Sequence, residues 1–141
     1  MAWLDAHATF DADSYDAPVI GIAATLGDHD SGLHQHQRGQ LLFTRQGCTR
    51  ITLAQQLCLL PPSRAAWIPP GVSHRAVMQH SVDYRSIYLT AELCAELPQQ
   101  VCVIEVSPLL RAVLEPIATA DFDTDWQQGK FAHLLGLCLS E

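Results

Sequence analysis

His34-Gln35-His36-Gln37-Arg38-Gly39-Gln40 and, further along, Trp67-Ile68-Pro69-Pro70-Gly71-Val72-Ser73-His74 are the two stretches on which the reading of this chain turns. In an extended segment successive side chains alternate between faces, so His34, His36, Arg38 and Gln40 point the same way. Two imidazoles one residue apart on a strand can meet one ion, at about 2.0–2.1 Å if the ion is zinc. His74 follows Pro69-Pro70-Gly71, a turn signal, and a neighbouring strand can bring it alongside. Three imidazoles with one amide oxygen suit Zn, Ni, Cu or Fe. Spacing alone leaves a second reading open, in which His34 and His36 are exposed polar residues at a strand edge.

Outward from these stretches, the chain from Pro18 to Val106 has the texture of an all-β domain. Short runs of apolar β-formers alternate with Gly, Pro and polar turns. The predicted strands are Val19–Thr25, Gly39–Thr44, Thr49–Thr52, Gln56–Leu60, Ala65–Ile68, His74–Met78, Asp83–Leu89 and Gln100–Val106. Strands of this length and spacing predict a sandwich or barrel. Residues 1–18 are acidic and lack periodicity, and read as an N-terminal arm.

After Val106 the pattern becomes helical. Ser107-Pro108 provides an N-cap followed by Pro at the first helical position. Leu109, Leu110, Val113, Leu114 and Ile117 then fall at helical spacing. Pro116 lacks an amide hydrogen and crowds the preceding turn, which predicts a kink or an early end. Thr124-Asp125-Trp126-Gln127 reads as a capping box opening a second helix, with Phe131, Leu134, Leu135 and Cys138 as its apolar stripe.

The 141 residues suffice for one domain with one core. A net charge of −7, with eight scattered Lys and Arg, excludes a nucleic-acid-binding face on this chain, because phosphate contacts need clustered basic residues. Five cysteines at irregular spacing, mostly beside apolar residues, predict buried reduced thiols rather than a disulfide framework. The N-terminus carries no signal-peptide pattern, and no apolar run approaches the roughly 20 residues of a membrane span. A cytoplasmic protein with no membrane partner is expected.

The two opening stretches match two motifs of the cupin superfamily. The first motif is H-x-H, three or four residues, Glu, six residues and Gly; here His34, His36, Gln40 and Gly47 stand at those positions. The second contains P-x-G-x-x-H, matched by Pro69 to His74. The wording from Asp30 to Arg111 more narrowly resembles the amino-terminal domain of AraC-type transcription regulators. It includes Leu59-Leu60-Pro61-Pro62-Ser63-Arg64-Ala65-Ala66-Trp67, Tyr84-Arg85-Ser86-Ile87-Tyr88 and Val106-Ser107-Pro108-Leu109-Leu110-Arg111.

That resemblance implies a mainly β fold, a cupin double-stranded β-helix (jelly-roll barrel) over residues 19–106, followed by two C-terminal α-helices over residues 107–141. It implies a homodimer through those helices, a small-molecule or metal effector, and DNA contacted only through a helix-turn-helix domain absent from this chain. The expected metal ligands are His34, His36, Gln40 and His74, holding one divalent transition metal, Zn or Ni. Gln40 replaces the cupin Glu, which leaves that ligand set without charge.

Arg38, Trp67, Tyr84 and Tyr88 are candidate effector contacts. Arg38 can pair with an effector carboxylate or with an acidic residue of the arm, and Trp67, Tyr84 and Tyr88 also read as core. Two rivals to the sensor stand beside it. One is a small metal-dependent cupin enzyme of dioxygenase or isomerase type, disfavoured because no residue is clearly placed for acid–base work. The other is a dimerisation domain with a vestigial pocket.

Overall fold

A computed structural model of the chain describes residues 13, 15–27, 29–53, 56–78, 82–95, 97–120, 122, 124–127, 129 and 136. Nine strands and one helix occur among them: β1 (Val19–Leu26), β2 (His29–Asp30), β3 (Gly39–Gln46), β4 (Thr49–Thr52), β5 (Leu57–Leu60), β6 (Arg64–Ile68), β7 (Arg75–Met78), β8 (Val82–Leu89), β9 (Cys102–Glu105) and α1 (Pro108–Ala118). Eight of the strands coincide with the predicted runs to within two residues. β2 went unread because two residues carry no periodicity.

The strands form two antiparallel sheets. One has the order β1-β8-β3-β6-β9 and the other β2-β7-β4-β5. β1 pairs β8, β2 pairs β7, β3 pairs β6 and β4 pairs β5, which is the strand order of a jelly roll, with β9 added at one edge. β8 lies between β1 and β3, with every residue paired to β1 and Asp83 to Leu89 paired to β3.

Alternation along these strands buries both faces of the five-stranded sheet. Ile20, Ile22, Ala24, Leu42, Ala66, Tyr84 and Tyr88 face inward, where Ile51, Leu60, Ala76 and Met78 of the second sheet meet them. Val19, Leu41, Phe43, Ala65, Trp67, Ile87 and Leu89 face outward against Leu110, Val113, Leu114 and Ile117 of α1. The helix begins as its sequence demands, with Ser107 Oγ accepting the Leu110 amide at 3.1 Å and Pro108 in the first turn. It stops at Ala118, within a turn of Pro116. Thr119 closes it by donating its amide and hydroxyl to Glu115 O at 3.1 and 2.9 Å.

The helix lies close to β1. A Cβ on Gly21 would come within 2.3 Å of Ile117 O and 2.7 Å of Ala118 O. Arg85, 2% exposed, leaves β8 on the outer face; its Nε donates to Glu115 Oε1 at 3.0 Å and its Nη1 pairs with Asp83. A β-bulge between Thr44 and Gln46 sets Arg45 beside the same carboxylate, at 3.8 Å.

The second predicted helix lies largely outside the described residues, with Phe131, Leu134, Leu135 and Cys138 among those not described. At its expected start, Asp125 Oδ1 accepts the Gln127 amide at 2.9 Å, and residues 124–127 are not helical. α1 is the one helix with bounds among the described residues; Gly129 and Gly136, inside the second expected helix, are helical. Cys48, Cys58, Cys94 and Cys102 are unbridged; Cys94 is buried, but Cys48 is exposed, against the expectation of burial. No described helix is long and apolar enough to cross a membrane.

The packing yields two expected outcomes. Gly21→Ala forces β1 and α1 apart and lowers unfolding free energy by about 1–3 kcal/mol, the usual cost of overpacking, measured by urea denaturation. Arg85→Met leaves Glu115 and Asp83 without their shared cation and costs about 2–3 kcal/mol. Glu115→Gln costs less, because Arg85 keeps Asp83.

Candidate functional site

The site is built by backbone pairing between the two motif segments. His34 and His74 form an isolated antiparallel bridge, His34 N to His74 O at 2.9 Å and His74 N to His34 O at 2.8 Å. The reversal that brings His74 there is the Pro69–Val72 turn, closed by Val72 N to Pro69 O at 3.4 Å. Pro70 and Gly71 occupy its central positions, and Gly71 has φ +81°, the left-handed value that a type II turn requires at its third residue. The Gly71 amide also donates to His36 O at 2.9 Å, tying the second motif directly to the first.

These contacts gather three imidazoles. Ring centroids lie 4.4 Å apart for His34–His74, 5.1 Å for His36–His74 and 5.8 Å for His34–His36. Each ring commits Nδ1 to a backbone carbonyl two residues away: His34 to Gly32 O at 2.9 Å, His36 to Arg38 O at 2.7 Å and His74 to Val72 O at 2.9 Å. A carbonyl only accepts, so Nδ1 carries the proton in all three rings. The Nε2 lone pairs remain free to bind, the tautomer a metal-ligating histidine requires. Burial, reinforced by the neighbouring His34 and His36, holds His74 down to about 4 despite its bond to Val72 O, so this ring is neutral at pH 7.

Gln40 completes the group. Its Oε1 lies 3.1 Å from both His36 Nε2 and His74 Nε2. Its Nε2 donates to Ser86 Oγ at 2.7 Å and meets Tyr84 Oη and Tyr88 Oη at 3.2 Å each. The amide thus turns an acceptor toward two acceptors, an arrangement a cation between them relieves. The three histidine donor atoms lie within 4.8 Å of one another. Nitrogens sharing one ion at about 2.1 Å in tetrahedral geometry lie about 3.4 Å apart, so the three rings would close on the ion by roughly an ångström or more. The residues present therefore fit a transition metal held by nitrogen and an amide oxygen.

Beneath Gln40, Tyr84, Ser86 and Tyr88 share the inward face of β8, and Tyr84 Oη lies 2.9 Å from Ser86 Oγ. Burial raises both phenols above their ordinary value, with Tyr84 adding to the effect at Tyr88, so both remain protonated. His36 also meets Tyr88 edge-on, at 5.3 Å between centroids. Tyr84 and Tyr88 thus join the expected ligands. Ser86 escaped the sequence reading, although its place midway between two tyrosines on one strand face was signal enough.

Trp67, expected as a possible effector contact, is not brought to the group. It lies on the opposite face of the sheet in the core under α1, with its indole N–H donating to Pro98 O at 2.8 Å. Gly39 lies just beneath that ring, where a Cβ would come within 2.4 Å of it. Arg38 is buried at 5% exposure and turns toward the N-terminal segment, its Nη2 donating to Tyr15 O at 2.7 Å. Asp13 Oδ1 and Oδ2 each lie 3.0 Å from the Gln37 amide, so that segment is tied to the first motif at two points.

The AraC-like ligand binding domain model matches residues 16–130. The HTH-type transcriptional regulator NimR of Escherichia coli (strain K12) is 30% identical over 111 residues, which is 77% of this chain and 40% of that protein. This chain thus spans less than half the length of that relative. Among solved structures, an RmlC-like cupin from Shewanella frigidimarina NCIMB 400 has TM-score 0.49 and 15% identity, covering 55% of this chain and 70% of that one. KdgF from Halomonas sp. has TM-score 0.49 and 18% identity, covering 53% and 72%. With its motifs assembled on paired sheets and most of its length matched by the family model, this chain belongs to the AraC-like ligand binding domain family.

Proposed function

We propose that the chain is the sensing domain of an AraC-type transcription regulator, and that its pocket is organised around one divalent transition metal, Zn or Ni. His34, His36 and His74 would hold the ion through Nε2 and Gln40 through Oε1. The observation that carries this reading is the common contact pattern: each Nδ1 meets a backbone carbonyl, one donor nitrogen of each ring lies within 4.8 Å of the others, and Gln40 Oε1 lies beside His36 and His74 Nε2. When bound, the ion supplies a Lewis-acidic centre for a donor atom of the effector. The chain's own residues set the rest. Gln40 links the ligand set to the hydroxyls of Tyr84, Ser86 and Tyr88, which offer donors to a bound molecule, and Arg38 is a further candidate contact.

The regulatory reading extends beyond this chain. In it, residues 1–18 form an arm, residues 19–106 close as a cupin barrel, and residues 107–141 carry α1 and a second helix through which two copies dimerise. DNA is gripped by a helix-turn-helix domain outside this sequence, in the cytoplasm. An effector acts by binding one arrangement of that assembly more tightly than another. An enzymatic reading would need a group to move protons, and the residues around the triad supply instead a neutral amide and phenols held protonated.

Elemental mass spectrometry of untagged protein tests the metal. Near-stoichiometric Zn or Ni is expected in the wild type and none in the His34→Ala, His36→Ala double variant. Wild-type protein that stays empty when challenged with Zn, Ni, Cu and Fe overturns the metal reading. Free metal at about 100 times its dissociation constant should add about 2.7 kcal/mol of stability, a rise in Tm of several degrees that the double variant lacks.

A further inference from the structure

Gln40 stands between two groups of partners with different demands. On one side its Oε1 lies 3.1 Å from His36 Nε2 and 3.1 Å from His74 Nε2. Both rings turn Nδ1 to a backbone carbonyl, which leaves Nε2 of the neutral ring with a lone pair and no proton. On the other side its Nε2 lies 2.7 Å from Ser86 Oγ and 3.2 Å from both Tyr84 Oη and Tyr88 Oη. A hydroxyl can give or take a proton, so the β8 side accepts either end of the amide. The histidine side does not, and it decides which way the amide faces.

With a cation among the imidazoles, a carbonyl oxygen beside them is the favourable placement. Without one, that carbonyl meets two further lone pairs and goes unpaired, which is costly for a side chain 2% exposed. Turning the planar amide half a revolution about its last side-chain bond exchanges Oε1 and Nε2 at nearly the same positions. The two amide hydrogens then point at His36 Nε2 and His74 Nε2 across the 3.1 Å separations already present. The carbonyl accepts from the Ser86 and Tyr88 hydroxyls, and Tyr84 Oη, 2.9 Å from Ser86 Oγ, donates to that oxygen. No donor or acceptor of the amide is left over. The torsion joins a tetrahedral to a planar carbon and is soft, and oxygen and NH2 are close in size, so the turn needs little extra room.

We propose that Gln40 is the residue through which this site distinguishes filled from empty, its amide offering N–H groups to His36 and His74 when no cation is held and turning its carbonyl to the cation when one is. The inference rests on the metal reading above and adds how the chain registers the ion. The turn also reverses the hydroxyl row on β8. Ser86 and Tyr88 give their protons to the carbonyl in the empty state and receive amide hydrogens in the filled one, which frees their own protons for another acceptor. A glutamate at this position would have no hydrogens to offer and no second face to turn, so the Gln-for-Glu replacement is what makes the switch possible.

The test is nuclear Overhauser spectroscopy on the isotope-labelled full chain, metal-free and Zn-loaded, with metal content measured on both samples. The Gln40 side-chain amide protons, assigned through their own backbone, should show their strongest contacts to ring protons of His36 and His74 in the metal-free sample. Zn loading should move the strongest contacts to ring protons of Tyr84 and Tyr88, and removal of Zn with a chelator should restore the first pattern.

The same contact pattern in both samples, with Zn content showing that the second was filled, overturns the proposal and leaves the metal reading standing. A chain that takes up no Zn overturns both, and the metal content separates the two cases.

Discussion

A β-strand sends successive side chains to opposite faces, and in this protein both faces of the five-stranded sheet are buried. Everything else follows from that two-sided burial. The inward face must meet the second sheet, and a polar site can exist there only if its hydrogen bonds are met within it. The outward face must be covered, and α1 covers it, so closely that β1 needs glycine at position 21. β8 shows the constraint at its sharpest. Tyr84, Ser86 and Tyr88 turn toward the histidines, while Arg85 and Ile87 between them turn toward the helix.

Within the site, Gln40 occupies the deciding position. Its carbonyl oxygen faces two imidazoles and its amide nitrogen faces three hydroxyls, so one planar group links the histidines to the polar face of β8. A carboxylate in its place would have no N–H to give Ser86, and the hydroxyls would have to turn their protons toward it. The neutral amide is therefore matched to the hydroxyls below it. The histidine tautomers are matched in the same sense, because each is set by a carbonyl of its own segment and not by a distant side chain.

Much of this was legible in the sequence, for identifiable reasons. The strands were visible because apolar residues alternate between Gly and Pro breaks, and α1 because Ser107-Pro108 and the spacing of Leu110, Val113, Leu114 and Ile117 all agree. His34, His36 and Gln40 were grouped by the period of a strand, but only Gln40 lies in one: His34 is held by an isolated bridge to His74, which depended on reading Pro69-Pro70-Gly71 as a tight reversal, and Arg38, grouped by the same period, turns to Tyr15. Other features carry no local signature. Whether Trp67 turns inward or outward depends on the register of β3 against β6, where Leu41 pairs with it and points the same way. Arg85 looks in sequence like any surface arginine; Asp83 beside it and Glu115 on α1 together make its burial tolerable. β2 is two residues long and exists because β7 is there to pair with it.

The position of β8 has a mechanical consequence. Held by backbone hydrogen bonds to β1 and β3, and pinned at one end by the bulge at Arg45, it cannot slide along its axis. A slip of one residue would exchange its two faces, turning Arg85 toward the histidines and Tyr84 and Tyr88 toward the helix. The strand therefore behaves as part of a stiff plate. A push from within the pocket can tilt that plate or bow it, and the load passes across its thickness, a few ångströms, to the helix bolted on the other side through Arg85 and Glu115.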